Sequence, residues 1–318
     1  MTIYRTYEAK GIREDLTDVI YDISPQDTPI MSSIGKGKAT NTNHEWQTDS
    51  LAAATTANAA VEGEDATSAT MGPTVRLGNQ TQIFQKTVRI SGTLEAVDKA
   101  GRKSEKAYQL AKASAEIKRD MEAVITANQA KAVGNASTAR RLASLLSWIK
   151  TNTNRQTATT AGADPSAADG TGTRTDGTVR TFTEAMLKDV VQKVFTSGGT
   201  PSLLVVPPAG KQKVSGFTGI SQHRINTTGS GDVTILAGAD LYQSDFGVLQ
   251  IVPDRFMRTR DALVLDPEYA AMSYLRPFQT NELAKVGDSE RTQLIVEVTL
   301  EMRNEAAHGG VFDLDFAL

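Results

Sequence analysis

Cysteine is absent from this 318-residue chain. That excludes disulfides, thiolate catalysis and cysteine-based zinc sites. Histidine is nearly absent: His44, His223 and His308 stand far apart, none with a neighbour at metal-ligand spacing. No run approaches the ~18 apolar residues of a membrane span, and "MTIYRTYEAKGIRED" has no apolar stretch of the kind a signal peptide needs. The chain opens on Met1 and reads as having no precursor segment ahead of it. An excess of positive charge is missing too, with 34 Lys and Arg against 37 Asp and Glu. A dedicated nucleic-acid binder would show a basic face or tail.

Chemical motifs are equally scarce. "PPAGKQ" (207–212) ends in Gly-Lys, but Val205 stands where a phosphate-binding loop needs glycine and Gln212 where it needs Ser or Thr. It reads as a strand-to-helix turn. "EGED" (62–65) and "DGTGTRTDG" (169–177) lack calcium-loop spacing and read as solvated carboxylates. "GSGD" (229–232) is a turn. No nucleophile–base pair stands out, and neither a cofactor nor a metal is expected.

What is present is organisation. Residues 52–72, "AAATTANAAVEGEDATSATMG", hold only Val61 and Met71 as larger apolar groups and can supply almost nothing to a core. Loops this long are uncommon in compact domains unless functional or disordered. The flanks, 41–51 and 74–91, are strand-like, so a long hairpin with a polar tip is expected. An 11-residue strand would reach ~36 Å. Before it, Leu16, Val19 and Ile20 mark helical turns, and "SPQDTPIMSSIG" offers Ser24 or Thr28 as cap and Pro25 or Pro29 at the first helical position. Residues 102–133 predict a helix of ~45 Å with a seam of Ala107, Leu110, Ser114, Ile117, Met121, Val124 and Asn128. Lys112/Glu116 and Lys118/Glu122 are expected as exposed i,i+4 pairs. "TARRLASLLSWIK" predicts a second helix, and 151–180, rich in Thr, Ala, Gly and Asp, a mobile surface loop. Residues 181–267 alternate as a mixed α/β unit, with Thr181 and Glu184 as a capping box. In 270–303, Leu294, Val296, Val298, Leu300 and Met302 share one strand face. Ile295, Glu297, Thr299, Glu301 and Arg303 share the other, expected to be wet. The long strand and the long helix are expected to pack together.

This layout resembles the Hong Kong 97-type fold of tailed-bacteriophage major capsid proteins. The stretches that carry the resemblance are "DISPQDTPIMSSIGKGKA" (22–39), "LASLLSWIKTN" (142–152), "FTEAMLKDVVQKVF" (182–195), "YQSDFGVLQIVPDRFMRTRD" (242–261) and "YLRPFQTNELAKVGDSERTQLIVEVTLEMRNEAAHG" (274–309). It implies an α+β chain with an N-arm (1–35), an extended loop (36–90), a peripheral domain with a spine helix (91–138 and 268–318) and an axial domain (139–267).

The resemblance also implies a structural, non-enzymatic role. Copies would assemble as pentamers and hexamers into an icosahedral or prolate shell around double-stranded DNA, formed in the bacterial cytoplasm. The expected partners are other copies, a portal protein, scaffolding and decoration proteins, and the DNA non-specifically, with no membrane. The candidate assembly contacts are Trp46, Val75, Leu77, Ile83 and Phe84 on the hairpin, and Lys285, Asp288, Glu290 and Arg291 at the "AKVGDSER" tip. Trp46 also reads as an anchor on a packed surface, and the tip as a solvated turn. Two rivals stand beside this reading: an encapsulin-like nanocompartment shell of the same fold, and a soluble enzyme with an insertion hairpin.

Overall fold

The computed structural model describes residues 27–317 apart from 64, 66, 67, 69, 70, 99, 100, 102, 159, 218–224, 228–232 and 236–239. The helical turns expected around Leu16, Val19 and Ile20 lie outside the described residues. In chain order the elements are α1 (Pro29–Ser33), β1 (Gly35–Lys38), β2 (Asn43–Thr48), β3 (Val75–Gln80), β4 (Gln82–Ser91), α2 (Gly92–Ala96), α3 (Glu105–Thr126) and α4 (Leu145–Trp148). There follow β5 (Thr153–Asn154), β6 (Arg180–Thr181), α5 (Glu184–Thr196), β7 (Leu203–Val206), α6 (Pro208–Ser215), β8 (Ile225–Thr227), β9 (Val233–Ile235), β10 (Leu241–Ser244), β11 (Gly247–Pro253) and β12 (Ala262–Leu265). The chain closes with β13 (Ala270–Leu283), β14 (Ser289–Met302), β15 (Gly309–Val311) and β16 (Leu314–Asp315).

Two sheets organise the molecule. The long sheet runs β1-β13-β14-β4, with β1 parallel to β13 and the other pairs antiparallel. The second runs β10-β11-β7-β12-β15-β5. Strand β7 shows why the middle of the second sheet is covered on both faces, while its β10–β11 edge keeps one face exposed. Leu203 and Val205 point into a core shared with the long sheet, α3 and α4, while Leu204 and Val206 join a second core under α5 and α6. A strand covered on both faces reads as an unbroken apolar run, which "LLVV" is. "PPAGKQ" is the expected strand-to-helix turn, leading from β7 into α6.

Helix α3 packs on β4 and β14, so the long helix and the long strand meet as expected. It is shorter than its sequence pattern: it stops at Thr126, and 127–144 run on as loop, tied by a bridge between Ala132 and Arg141. Ile117 and Met121 of the expected seam are buried and Val124 packs partly against the core, but the fully buried row runs straight through Ala113, Ile117, Met121 and Ile125 at i,i+4, with Ala107 left exposed. The expected exposed pairs do not form. Glu116 reaches across to Lys86 on β4 at 2.7 Å, and Glu122 is fully buried.

Other expectations fail for identifiable reasons. The helix expected over "TARRLASLLSWIK" shrinks to α4, although Leu142, Leu145, Leu146 and Ile149 are all buried. Thr181 is no helix cap, because it pairs with Asp315 in a strand; Thr183 precedes α5 instead. The second face of β14 is not wet: Glu297 and Thr299 are 3% and 0% exposed, roofed by the hairpin root. Residues 151–180 are not a mobile loop. They carry strands β5 and β6 and a bridge between Ala163 and Thr175, held by buried ion pairs around Arg174 and Asp164.

Candidate assembly surfaces

The hairpin is real but shorter than its sequence pattern. β2 and β3 pair from Asn43–Gln80 to Thr48–Val75. At Thr81 the chain changes partner, and β4 joins the long sheet beside β14. Thr81 makes that break with its hydroxyl, which donates to Glu297 at 2.7 Å. Beyond Thr48 and before Val75, the described residues lie outside any helix or strand, and Leu51, Val61 and Met71 are 98%, 73% and 90% exposed. The hairpin therefore presents exposed apolar side chains at its tip.

Its root is clamped. Asn79, fully buried, donates through Nδ2 to the carbonyls of Leu300 (2.8 Å) and Ala143 (3.2 Å), and its Oδ1 accepts from the Ala143 N–H (2.8 Å). Lys131 donates to the Gly78 carbonyl at 2.7 Å. Gly78 has no room for a side chain, since a Cβ there would sit 2.7 Å from Glu45 Cγ. His44 pairs with Glu301 at 3.1 Å. Burial alone would push the Glu301 carboxyl up, but bonds from His44, Ser273 and Arg303 hold it below the ordinary glutamate range. Glu297 is gripped by Arg140 and by Arg276 Nε at 2.8 Å. None of these clamp residues stood out in the sequence. A lone buried Asn or Glu on a strand has no local signature, because its partners lie far along the chain.

The candidate contacts divide. Trp46 packs on the larger core, its ring 5.4 Å from that of Trp148, so it serves as an anchor within its own subunit. Leu77 packs beside it, and Phe84 is 8% exposed inside the same core. Val75 and Ile83 are 57% and 43% exposed and remain available. At the tip, Gly287 takes the left-handed backbone (φ 66°) that the turn requires. Glu290 pairs within the subunit with Lys285 (2.9 Å) and Lys106 (3.4 Å), and these partners hold its carboxyl below the ordinary range. Asp288 stays exposed and lies 3.5 Å from the Thr93 hydroxyl. Arg291 stands directly opposite Arg89 in the sheet, with its Nε buried and unpartnered.

That placement sharpens a test. In Arg291→Glu the new carboxylate would face Arg89, an opposite-charge cross-strand pair worth ~0.2–1 kcal/mol, so the free subunit should keep or slightly gain stability. Particle yield, compared by sedimentation with the parent, should fall. Parent-level yield would show that the tip charge makes no contact between copies.

Among the described residues no group of three or more carboxylates or histidines is placed to hold a metal ion, and no helix is long and apolar enough to cross a membrane. Comparison with known proteins agrees with the architecture. A family model described as SU10 major capsid protein matches residues 2–315. A major capsid protein of Escherichia phage Phieco32 is 28% identical over 98% of this chain and 97% of its own length. Among solved structures, a chain of the cyanophage A-1(L) capsid asymmetric unit superposes with a TM-score of 0.67 over 98% of both chains at 11% identity. A Mycobacterium phage Adephagia chain gives 0.62 over 98% of both at 11% identity, and the SrpI encapsulin of Synechococcus elongatus 0.59 over 100% of this chain and 98% of that one at 9%.

Proposed function

The chain belongs to the SU10 major capsid protein family and has the Hong Kong 97-type fold, and from that premise we propose that it closes, as pentamers and hexamers, into an icosahedral or prolate shell around phage double-stranded DNA. The observation that carries this reading is the hairpin: a clamped root beneath an exposed tip that belongs to neither core of its own subunit, a form suited to lying over a neighbouring copy. Membership of a capsid family implies a structural role and a place in the virion. The division into N-arm, extended loop, peripheral and axial domains belongs to this proposal. So do assembly in the host cytoplasm and the portal, scaffolding, decoration and DNA partners. The near-neutral charge suits a container that must not grip its genome tightly. The encapsulin reading is weaker, because the family model and the curated relative are both phage capsid proteins.

We further propose that the shell holds without covalent bonds. Joining a lysine to an amide as an isopeptide needs a neutral, desolvated amine delivered across the interface, and residues from Ala39 to Gln85 contain no lysine. Electron microscopy of the expressed protein should show closed particles, and the same particles, boiled in detergent, should run as one band near 34.1 kDa. Absence of particles under every protein, salt and scaffold condition tried would refute the shell. A boiling-resistant ladder would refute only its non-covalent character.

A further inference from the structure

Helix α1 is capped in an unusual way. Thr28, its N-cap residue, makes no side-chain cap bond, and Pro29 fills the first position, where a missing N–H costs nothing. The next two N–H groups are met by one carboxylate from α3, 92 residues away in sequence. Glu122 Oε1 accepts from the Ile30 N–H at 2.7 Å, and Oε2 accepts from the Met31 N–H at 3.1 Å. Both Glu122 and Ile30 are 0% exposed.

Among the described residues no cation pairs with this carboxyl. The charged group that bears on it is Asp254, at the end of β11 and equally buried. Asp254 Oδ1 accepts from the Phe256 N–H at 2.9 Å, while Oδ2 has no partner. On α3 itself, Lys118 is exposed and Arg119 lies over the Phe256 ring at 5.6 Å. α1 carries no charged residue.

We propose that residues 27–34 are a proton-linked latch: the segment docks while the Glu122–Asp254 carboxyl pair holds a proton, and docking weakens when that proton leaves. Burial pushes the Glu122 carboxyl up to about 7, against the pull of its two N–H bonds, and Asp254 adds to the rise. Burial raises Asp254 as well. Lifting α1 removes Ile30 from the core and lets water reach the carboxyl, which returns toward its ordinary value of 4.5. The docked state therefore binds more protons than the undocked state between pH 4.5 and 7. Docking is fully favoured below that window and weakens as pH rises through it. The distance between the two values corresponds to ~300-fold in the docking equilibrium. The latch leads directly into β1, the edge strand of the long sheet beside β13.

Hydrogen–deuterium exchange on the unassembled subunit tests this without reference to the shell. Protection of the peptide spanning 27–34, corrected for intrinsic exchange, should fall by up to ~70-fold between pH 5 and pH 8, while peptides from β14 hold steady. In Glu122→Gln the amide oxygen still accepts an N–H while the side chain no longer titrates, so the fall in protection with pH should flatten. Protection in the native chain that is constant or rises with pH overturns the latch, as does an unchanged slope in Glu122→Gln. Should that variant fail to fold, the native series alone decides.

Discussion

Arg174→Ala is expected to lower the stability of the free subunit by ~3–5 kcal/mol, the usual cost of removing one member of a buried ion pair. The Arg174 side chain is 1% exposed. One end of its guanidinium donates to Asp164 at 2.6 Å, the other to the Ile149 carbonyl at 2.8 Å, and its flat face lies 3.4 Å above the centre of the Phe312 ring. The desolvation cost is visible in its own pKa, which burial depresses. Asp164, whose carboxyl burial would raise, is held below its ordinary range by Arg155 and Arg174 together. Without Arg174, Asp164 keeps Arg155, at 2.7 Å, as its ion-pair partner and the Thr153 side chain as a hydrogen-bond partner, and a cavity opens over Phe312. Residues 155–180 should loosen first. Urea denaturation of the unassembled subunit gives the loss in stability, and limited proteolysis locates it. A loss under ~1 kcal/mol, with cleavage unchanged in this segment, would show that the segment is held by something other than this arginine.

The same residues show where sequence reading stops. Composition marks 151–180 as solvated, and most of its side chains are small and polar. Its order comes from a few charges whose partners lie elsewhere: Asp313, on the last strand connection, accepts from the Gly177 N–H at 2.7 Å and from Arg260 at 2.8 Å. Pairings across such sequence distances leave no period to detect. The long strands are the opposite case. Alternation in "LIVEVTLEM" identifies β14 from nine letters, because period-two burial is local. Even there, alternation says which residues face together and not whether the second face is covered; the hairpin root covers it. The hairpin itself was legible as two strands around a polar loop. The partner change at Thr81 was not, since 74–91 is continuously strand-like and only the Thr81–Glu297 bond marks the break. Glu122 was hidden for a similar reason: on a helical wheel it resembles any glutamate near a lysine, and its use depends on a segment 92 residues away.

The loop between β2 and β3 sets up the other large effect, in the shell rather than the subunit. Deleting residues 52–72 and closing Leu51 onto Pro73 leaves both strands and every clamp at the root in place. The deleted residues that are described are all exposed, so their removal takes no apolar surface from either core. Shortening the connection by more than two halvings should favour folding by ~1–1.5 kcal/mol through loop-closure entropy. The unassembled variant should therefore melt at or slightly above the parent's temperature. The shell has the opposite dependence. Val61 and Met71 leave with the loop, and the overlap that each copy would lay across its neighbour goes with them. Closed particles should be absent, or should fall apart at denaturant concentrations that the parent shell survives, as read by electron microscopy and sedimentation across a urea series. A matching drop in the melting temperature of the free subunit would mean that the loop supports its own core. Parent-like shells would mean that the overlap is made elsewhere, and would leave the exposed Val75 and Ile83 and the 284–291 tip to hold copies together.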